Sequence, residues 1–235
     1  FSEVGGVYFQ NYSNIKHENE TLETELEQKE MEIREYLMEV AGRPSPQGAL
    51  IKGMLILGAE DTGSRDIPNM NEGWGRVNLA NSLIPGTDTG VWVDDRNTVR
   101  SGQTREYQFN LSRGNTPFKA VLTWSDYPGS TWSSTQLQND LDMVITSPDG
   151  TIYIGNDFAN GRSTTGGDAD DLNNVEVVLI DQADAGVWTV QISDVAHGGQ
   201  RSDQPFALAV RGAGVNDSVS YTHLRAHETS LHLVC

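Results

Sequence analysis

Along the chain, apolar positions follow two different periods. From residue 15 to 40, Ile15, Leu22, Leu26, Ile33, Leu37 and Val40 recur at spacings of three, four and seven, with Glu and Lys between them. That spacing predicts a solvated amphipathic helix, or one arm of a coiled coil. Gly42 and Pro44 stop it. Ser45-Pro46 introduces a second helix, Gln47 to Gly58, whose apolar side is Leu50, Met54, Leu55 and Leu57. A loop rich in Gly, Asp and Asn runs from Glu60 to Glu72. A short helix is expected over Val77 to Leu83, and Pro85-Gly86 ends the helical part.

From residue 88 the period shortens. Thr104–Leu111, Phe118–Trp124, Leu141–Thr146, Thr151–Ile154, Val175–Ile180, Val187–Ile192 and Phe206–Val210 are short runs rich in β-branched and aromatic residues. Turn material separates them: Arg113-Gly114-Asn115, Pro148-Asp149-Gly150, Asp184-Ala185-Gly186 and Gly198-Gly199. Such spacing predicts a two-sheet antiparallel sandwich. Alternation in Val187-Trp188-Thr189-Val190-Gln191-Ile192 implies one buried and one wet face there. The long polar stretch Asn156–Asn174 is of a size that loops in compact domains reserve for function or mobility.

Composition sharpens the division. Residues 1–33 carry a net charge of −6, with Glu as the only acid, whereas residues 87–213 carry −9 and 15 of their 17 acids are Asp. Glu favours helix; Asp favours turns, caps and cation ligation. The total formal charge of −17 argues against nucleic acid and against anionic membrane surfaces as partners. No run approaches the roughly 18 apolar residues of a membrane span, and no basic-plus-apolar leader opens the chain. The single cysteine, Cys235, excludes a disulfide framework or a thiolate metal site within one chain.

Several motifs resemble those of subtilisin-like serine peptidases. Gly73-Trp74-Gly75-Arg76-Val77-Asn78 is similar to the sequence near the end of subtilase catalytic domains, and Ala49 to Ala59 to the helix before it. Arg34-Glu35-Tyr36-Leu37 resembles the far end of the helix that bears the nucleophilic serine. The sandwich matches the alkaline subgroup with a C-terminal jelly roll similar to the P-domain of proprotein convertases. The motifs are Phe118 to Asp126, Asn139-Asp140-Leu141-Asp142, Gly155-Asn156-Asp157-Phe158 and Asn173-Asn174-Val175-Glu176, in that order.

The resemblance spans residues 34–212 and implies a mainly β fold: an antiparallel jelly-roll sandwich (87–213) preceded by the C-terminal helices of an α/β catalytic domain (34–86). Residues 1–33 do not match. Where the family carries Gly-Thr-Ser-x-Ala-x-Pro, this chain has the Glu-rich run Asn11 to Glu30. Without the Ser, His and Asp of the triad the chain is not expected to hydrolyse peptides itself. Val219 to Thr229 resembles translated adapter sequence, so residues 214–235 are expected to be an artefactual tail. Residues 46–83 are expected to keep exposed apolar surface, with a resistant core starting near residue 87.

The family resemblance implies a secreted serine endopeptidase as the parent. Its sandwich would serve as a stabilising accessory domain, with its own upstream catalytic domain and protein substrates as partners. The alternative is a non-catalytic jelly-roll module that binds carbohydrate or protein. The resemblance also implies calcium, which takes about six to eight oxygen ligands. Asp140 and Asp142 lie two apart on a strand and share a face, with Leu141 and Met143 turned to the core. Asp126 ends a neighbouring strand, and Asn139 and Asn174 offer neutral oxygens, which completes the candidate ligand set. The same polar residues could instead cap turns.

His223 and His227 stand at a helical metal spacing, but Glu228 falls outside the pair, so this is not a zinc-peptidase motif. His197 reads as an exposed residue of a Gly-rich turn. Trp124 and Trp188 read as core, and Trp132 as the exposed aromatic.

Overall fold

The computed structural model describes residues 2–83, 86, 88–129, 132, 137–197, 203–215 and 219–226. Pro85, Gly198, Gly199 and His227 lie outside these. The chain forms two compact units, residues 1–46 and 47–235.

The first unit is a helix, α1 (Ser2–Glu39), which starts well before the expected Ile15. Ile33 and Leu37 are buried, while Leu22, Leu26 and Val40 are exposed. Gly42, at φ 64°, takes the left-handed conformation that lets the Arg43 N–H reach back to the Leu37 carbonyl at 2.8 Å.

The second unit is mainly β. Helices α2 (Gly48–Gly58) and α3 (Leu79–Leu83) come first. The strands among the described residues are β1 (Thr89–Asp94), β2 (Thr98–Val99), β3 (Gln103–Leu111), β4 (Thr116–Trp124), β5 (Asn139–Thr146), β6 (Ile152–Ile154), β7 (Phe158–Ala159), β8 (Arg162–Ser163), β9 (Val175–Ala183), β10 (Gly186–His197), β11 (Gln204–Ala213) and β12 (Val219–Ala226). One sheet runs β1–β11–β4–β9, with β2 beside β11, and the other runs β12–β3–β10–β5–β6. Every pairing is antiparallel. From β3 onward the chain crosses repeatedly from one sheet to the other, which is the wrapping of a jelly-roll sandwich.

Alternation on each strand builds the core. Phe118, Ala120, Leu122 and Trp124 of β4 meet Phe206, Leu208 and Val210 of β11 from one sheet. Tyr107, Phe109, Leu141, Met143, Ile145, Trp188, Val190 and Ile192 come from the other. Trp124 and Trp188 are buried, as the strand pattern implied, and Trp132 is 95% exposed.

The other face of β4 and β11 does not meet water. Val121, Thr123, Ala207 and Ala209 are buried there, because α2 lies against both strands. Gly53 permits the close approach: a Cβ on it would stand 3.1 Å from Thr123 Oγ1. The Thr123 hydroxyl donates to the Ala49 carbonyl at 2.7 Å. The expected free apolar surface over residues 46–83 is therefore corrected for α2, since Ala49, Leu50, Ile51, Met54, Ile56 and Leu57 are all buried. The helix is apolar on nearly every side, and the sheet supplies the cover it needs.

The loop after α2 folds back through the bridge Glu60↔Arg76. Gly75, at φ 98°, sits where a Cβ would run into the Glu60 backbone. Gly75→Ala is therefore expected to cost more than about 1 kcal/mol, seen as a lower urea midpoint. An unchanged midpoint would show that this bridge does not hold the loop.

Candidate acidic site on the sandwich

The carboxylates gather where β5 runs beside the start of β9. On β5 the burial alternates: Leu141 and Met143 are buried, and Asp140 and Asp142 are half-buried on the opposite face. The β6 strand pairs only with Val144, Ile145 and Thr146. Below that point the edge of β5 has no strand neighbour on this side among the described residues. The Met143 carbonyl accepts from the Gly155 N–H at 2.9 Å, and the Met143 N–H donates to Glu176 Oε2. Glu176, on β9, has no solvent exposure at all. Gly155 is required beside it, because a Cβ there would overlap the Glu176 side chain.

This arrangement leaves oxygens unmet. Asp140 Oδ1, Asp142 Oδ1 and Glu176 Oε1 are buried without a hydrogen-bond partner among the described residues. The charges acting on these groups come from other carboxylates. Burial first, then Asp142, Asp171, Asp170 and Asp194, push Asp140 up to about 6. Burial, then Asp170, raises Asp142. Burial holds Glu176 well above the usual carboxylate range; the Met143 N–H opposes this, and Asp142, Asp170 and Asp140 add to it. Buried carboxylates with unmet oxygens and mutual repulsion are costly without a cation or a proton.

Asp170 shapes the adjoining loop. Its Oδ1 accepts from the Leu172 N–H at 2.9 Å, and its Oδ2 accepts from Asn156 Nδ2 at 2.6 Å and Asn173 Nδ2 at 2.7 Å. Asn156, at φ 60°, also receives the Val177 N–H at 2.9 Å and so fastens the loop to β9.

Of the five residues singled out in the sequence, Asp140 and Asp142 stand together in this cluster. The side-chain oxygens of Asp126 and Asn174 are engaged by N–H donors, and Asn139 is held through its own amide N–H. Asp126 accepts the Gln138 N–H at 2.6 Å and the Asn139 N–H at 2.9 Å, so it fixes the start of β5. Asn139 is buried, and its Nδ2 donates to Gln204 Oε1 at 2.5 Å. Asn174 Oδ1 receives Lys52 Nζ at 2.7 Å, and its Nδ2 donates to the Trp124 carbonyl at 3.0 Å. Glu176, Asp170 and Asp171 were not in the set. The signal for Glu176 was its place in the Asn173-Asn174-Val175-Glu176 motif.

A second acidic group lies in the loop after α2. Among the described residues, Asp61, Asp66 and Glu72 are the group whose carboxylate oxygens all fall within 4.8 Å of one another. Asn69 Nδ2 donates to Asp66 at 2.9 Å and to Glu72 at 3.2 Å, so much of this capacity goes to holding the loop. His197 is not a turn residue: it closes β10, opposite Asn139. His223 falls in the strand β12, where the backbone does not give the helical spacing that a His223–His227 pair would use.

No family model matches the chain. Over 160 residues it is 28% identical to a Dictyostelium discoideum protein named Serine protease/ABC transporter B family protein tagA. The match covers 63% of this chain and 9% of that protein, so the chain spans under a tenth of the relative's length. A crystal structure from Sulfurospirillum deleyianum covers 53% of this chain and 97% of its own, at 9% identity and a TM-score of 0.28, a likeness too slight to indicate a shared fold. The chain is thus a mainly β protein whose sequence is distantly similar to that of a protein named as a serine protease.

Proposed function

We propose that this chain is the C-terminal part of a secreted subtilisin-like serine endopeptidase, and that its sandwich is a stabilising accessory domain that binds calcium on the acidic face. The observation that carries the accessory role is the clasp on α2. Thr123 holds the first turn of that helix, Lys52 of α2 reaches Asn174, and Lys119 reaches the Ile56 and Ala59 carbonyls at 2.6 and 3.2 Å. By the family resemblance α2 belongs to the catalytic domain, so the sheet would close over a helix of its neighbour. The distant similarity to a protease-named protein supports the same reading.

Calcium would suit the chemistry of Asp140, Asp142 and Glu176, whose hard anionic oxygens are buried, unmatched and mutually repelling; it would draw them closer, since among the described residues only Asp61, Asp66 and Glu72 bring such oxygens within 4.8 Å of one another. Bound there, the ion would supply the charge that these groups lack. The chain's own part would be to supply the three carboxylates, with Gly155 and Asp170 beside them.

Melts of the protein in calcium and in chelator test the metal. Calcium at about a hundred times its Kd is worth ~2.7 kcal/mol, which is a rise in Tm of about 5–10 °C for a domain of this size. Equal melts would remove calcium from the assignment. The protease reading predicts that the gene's coding sequence upstream of Arg34 holds Gly-Thr-Ser-x-Ala-x-Pro. A genuine upstream sequence without it favours a binding module for carbohydrate or protein.

A further inference from the structure

On the outer face of the β1–β11–β4–β9 sheet, Lys119 of β4 stands directly opposite Arg211 of β11. Their strand neighbours Phe118, Ala120 and Val210 fill the inter-sheet core, so both cations face the α2 side. Like charges directly opposite on paired strands repel. Arg162 of β8 adds a third positive charge that acts on Lys119. All three line a cavity of about 380 Å³ whose apolar wall includes Leu57, Ile67 and Leu179.

The hydrogen bonds show which cations are unmet. Arg162 is matched, since its Nε donates to Asp181 at 2.6 Å. Lys119 is only 5% exposed. Its Nζ donates to two neutral carbonyls, those of Ile56 and Ala59, which leaves one of its three protons over. Arg211 gives Asn81 Oδ1 a single long bond of 3.3 Å, and its Nε is buried with no acceptor among the described residues. Glu60, the acid that acts on Arg211, is exposed and is shared with Asn81, Asn78 and Arg76. Asp61, also on the wall, keeps a buried Oδ2 without a hydrogen-bond partner among the described residues, and its charge acts on Arg162 rather than on Lys119 or Arg211.

We infer that this cavity binds a small oxyanion of the phosphate, sulfate or carboxylate class between the Arg211 Nε–H and the remaining Lys119 ammonium proton, with Arg162 adding charge. A guanidinium and an ammonium set opposite each other on paired strands and lining one cavity are the usual donors for such a group. Burial, then Arg211 and Arg162, lower Lys119 to about 7, and a bound anion would reverse that trend.

Inorganic phosphate titrated into the full chain at constant ionic strength is expected to move the Arg211 Nε–H resonance along a saturating curve. It should raise Tm by several degrees above an equal ionic strength of chloride. Arg211→Gln is expected to weaken phosphate binding at least about tenfold. Arg113→Gln, which disrupts the exposed pair with Asp88, should leave binding unchanged. Acetate that competes with phosphate identifies a site for carboxylates as well; acetate that does not compete restricts it to tetrahedral anions. An Arg211 resonance that stays fixed up to about 10 mM phosphate, or a thermal effect that chloride reproduces, overturns the assignment. Equal phosphate binding by Arg211→Gln also overturns it. If that variant does not fold, the wild-type resonance decides alone.

Discussion

Phe118→Ala is expected to lower the unfolding free energy by about 3–5 kcal/mol. Phe118 has no solvent exposure, and its ring stacks on Trp188 at a centroid distance of 5.0 Å and an angle of 25°. The two residues belong to different sheets, on β4 and β10. Truncation therefore removes both the buried area of a phenyl ring and the contact that ties the layers together. The neighbours offer little to collapse into the hole, because Leu111 and Val215 are themselves buried and already crowd Gly212 beside Phe118. Denaturant unfolding measures the loss. A change below about 1 kcal/mol would mean that the two sheets do not share this core.

The second large effect is a stability that falls as pH rises, provided calcium is withheld. Asp140 moves from an ordinary 3.8 to about 6 in the fold, and Asp142 and Glu176 move in the same direction. Between those values the folded chain holds more protons than the unfolded one, so unfolding free energy declines with pH. This contribution is fully present below the ordinary carboxylate value and is lost as pH passes through about 6. Solvent screening reduces the share of half-exposed Asp140, so buried Glu176 contributes more. In chelator, the Asp140→Asn and Glu176→Gln double variant should melt several degrees higher than wild type near neutral pH and show a flatter pH profile. In calcium it should lose the metal-dependent rise. A wild-type profile in chelator that climbs through this window would show that these carboxylates are not forced together in the fold.

Much of the architecture was legible because the sandwich writes its period into the chain. Asn139–Thr146 alternates buried and half-buried without a break, and each expected β run lies on a strand. β1 was missed because Thr89-Gly90-Val91-Trp92-Val93-Asp94 carries glycine and aspartate signals of a turn and its burial does not alternate cleanly. Among the described residues it is an edge strand, paired with β11 alone. β2, β7 and β8 are two residues long, too short for any period to show.

Asp140 and Asp142 were readable as a pair because spacing alone places them on one face. Glu176 was not, because it lies in the apolar run Val175-Glu176-Val177-Val178 and its partner, Met143, is 33 residues away in sequence. The hydrogen bonds that engage Asp126, Asn139 and Asn174 within the fold were equally hidden. A polar side chain at a strand end satisfies backbone or ligand alike, and only the fold decides which. The like-charged pair of Lys119 and Arg211 needed the strand register before it could be seen.

The bond from the Met143 N–H to Glu176 has one more effect. The open rim of a sheet invites a foreign strand to dock and lengthen it, the first step toward self-association. Here the rim of β5 below β6 is already occupied, with a carboxylate on the Met143 N–H and Gly155 on the Met143 carbonyl. An incoming chain would find the Met143 N–H and carbonyl already taken, and a crowd of negative charge around them.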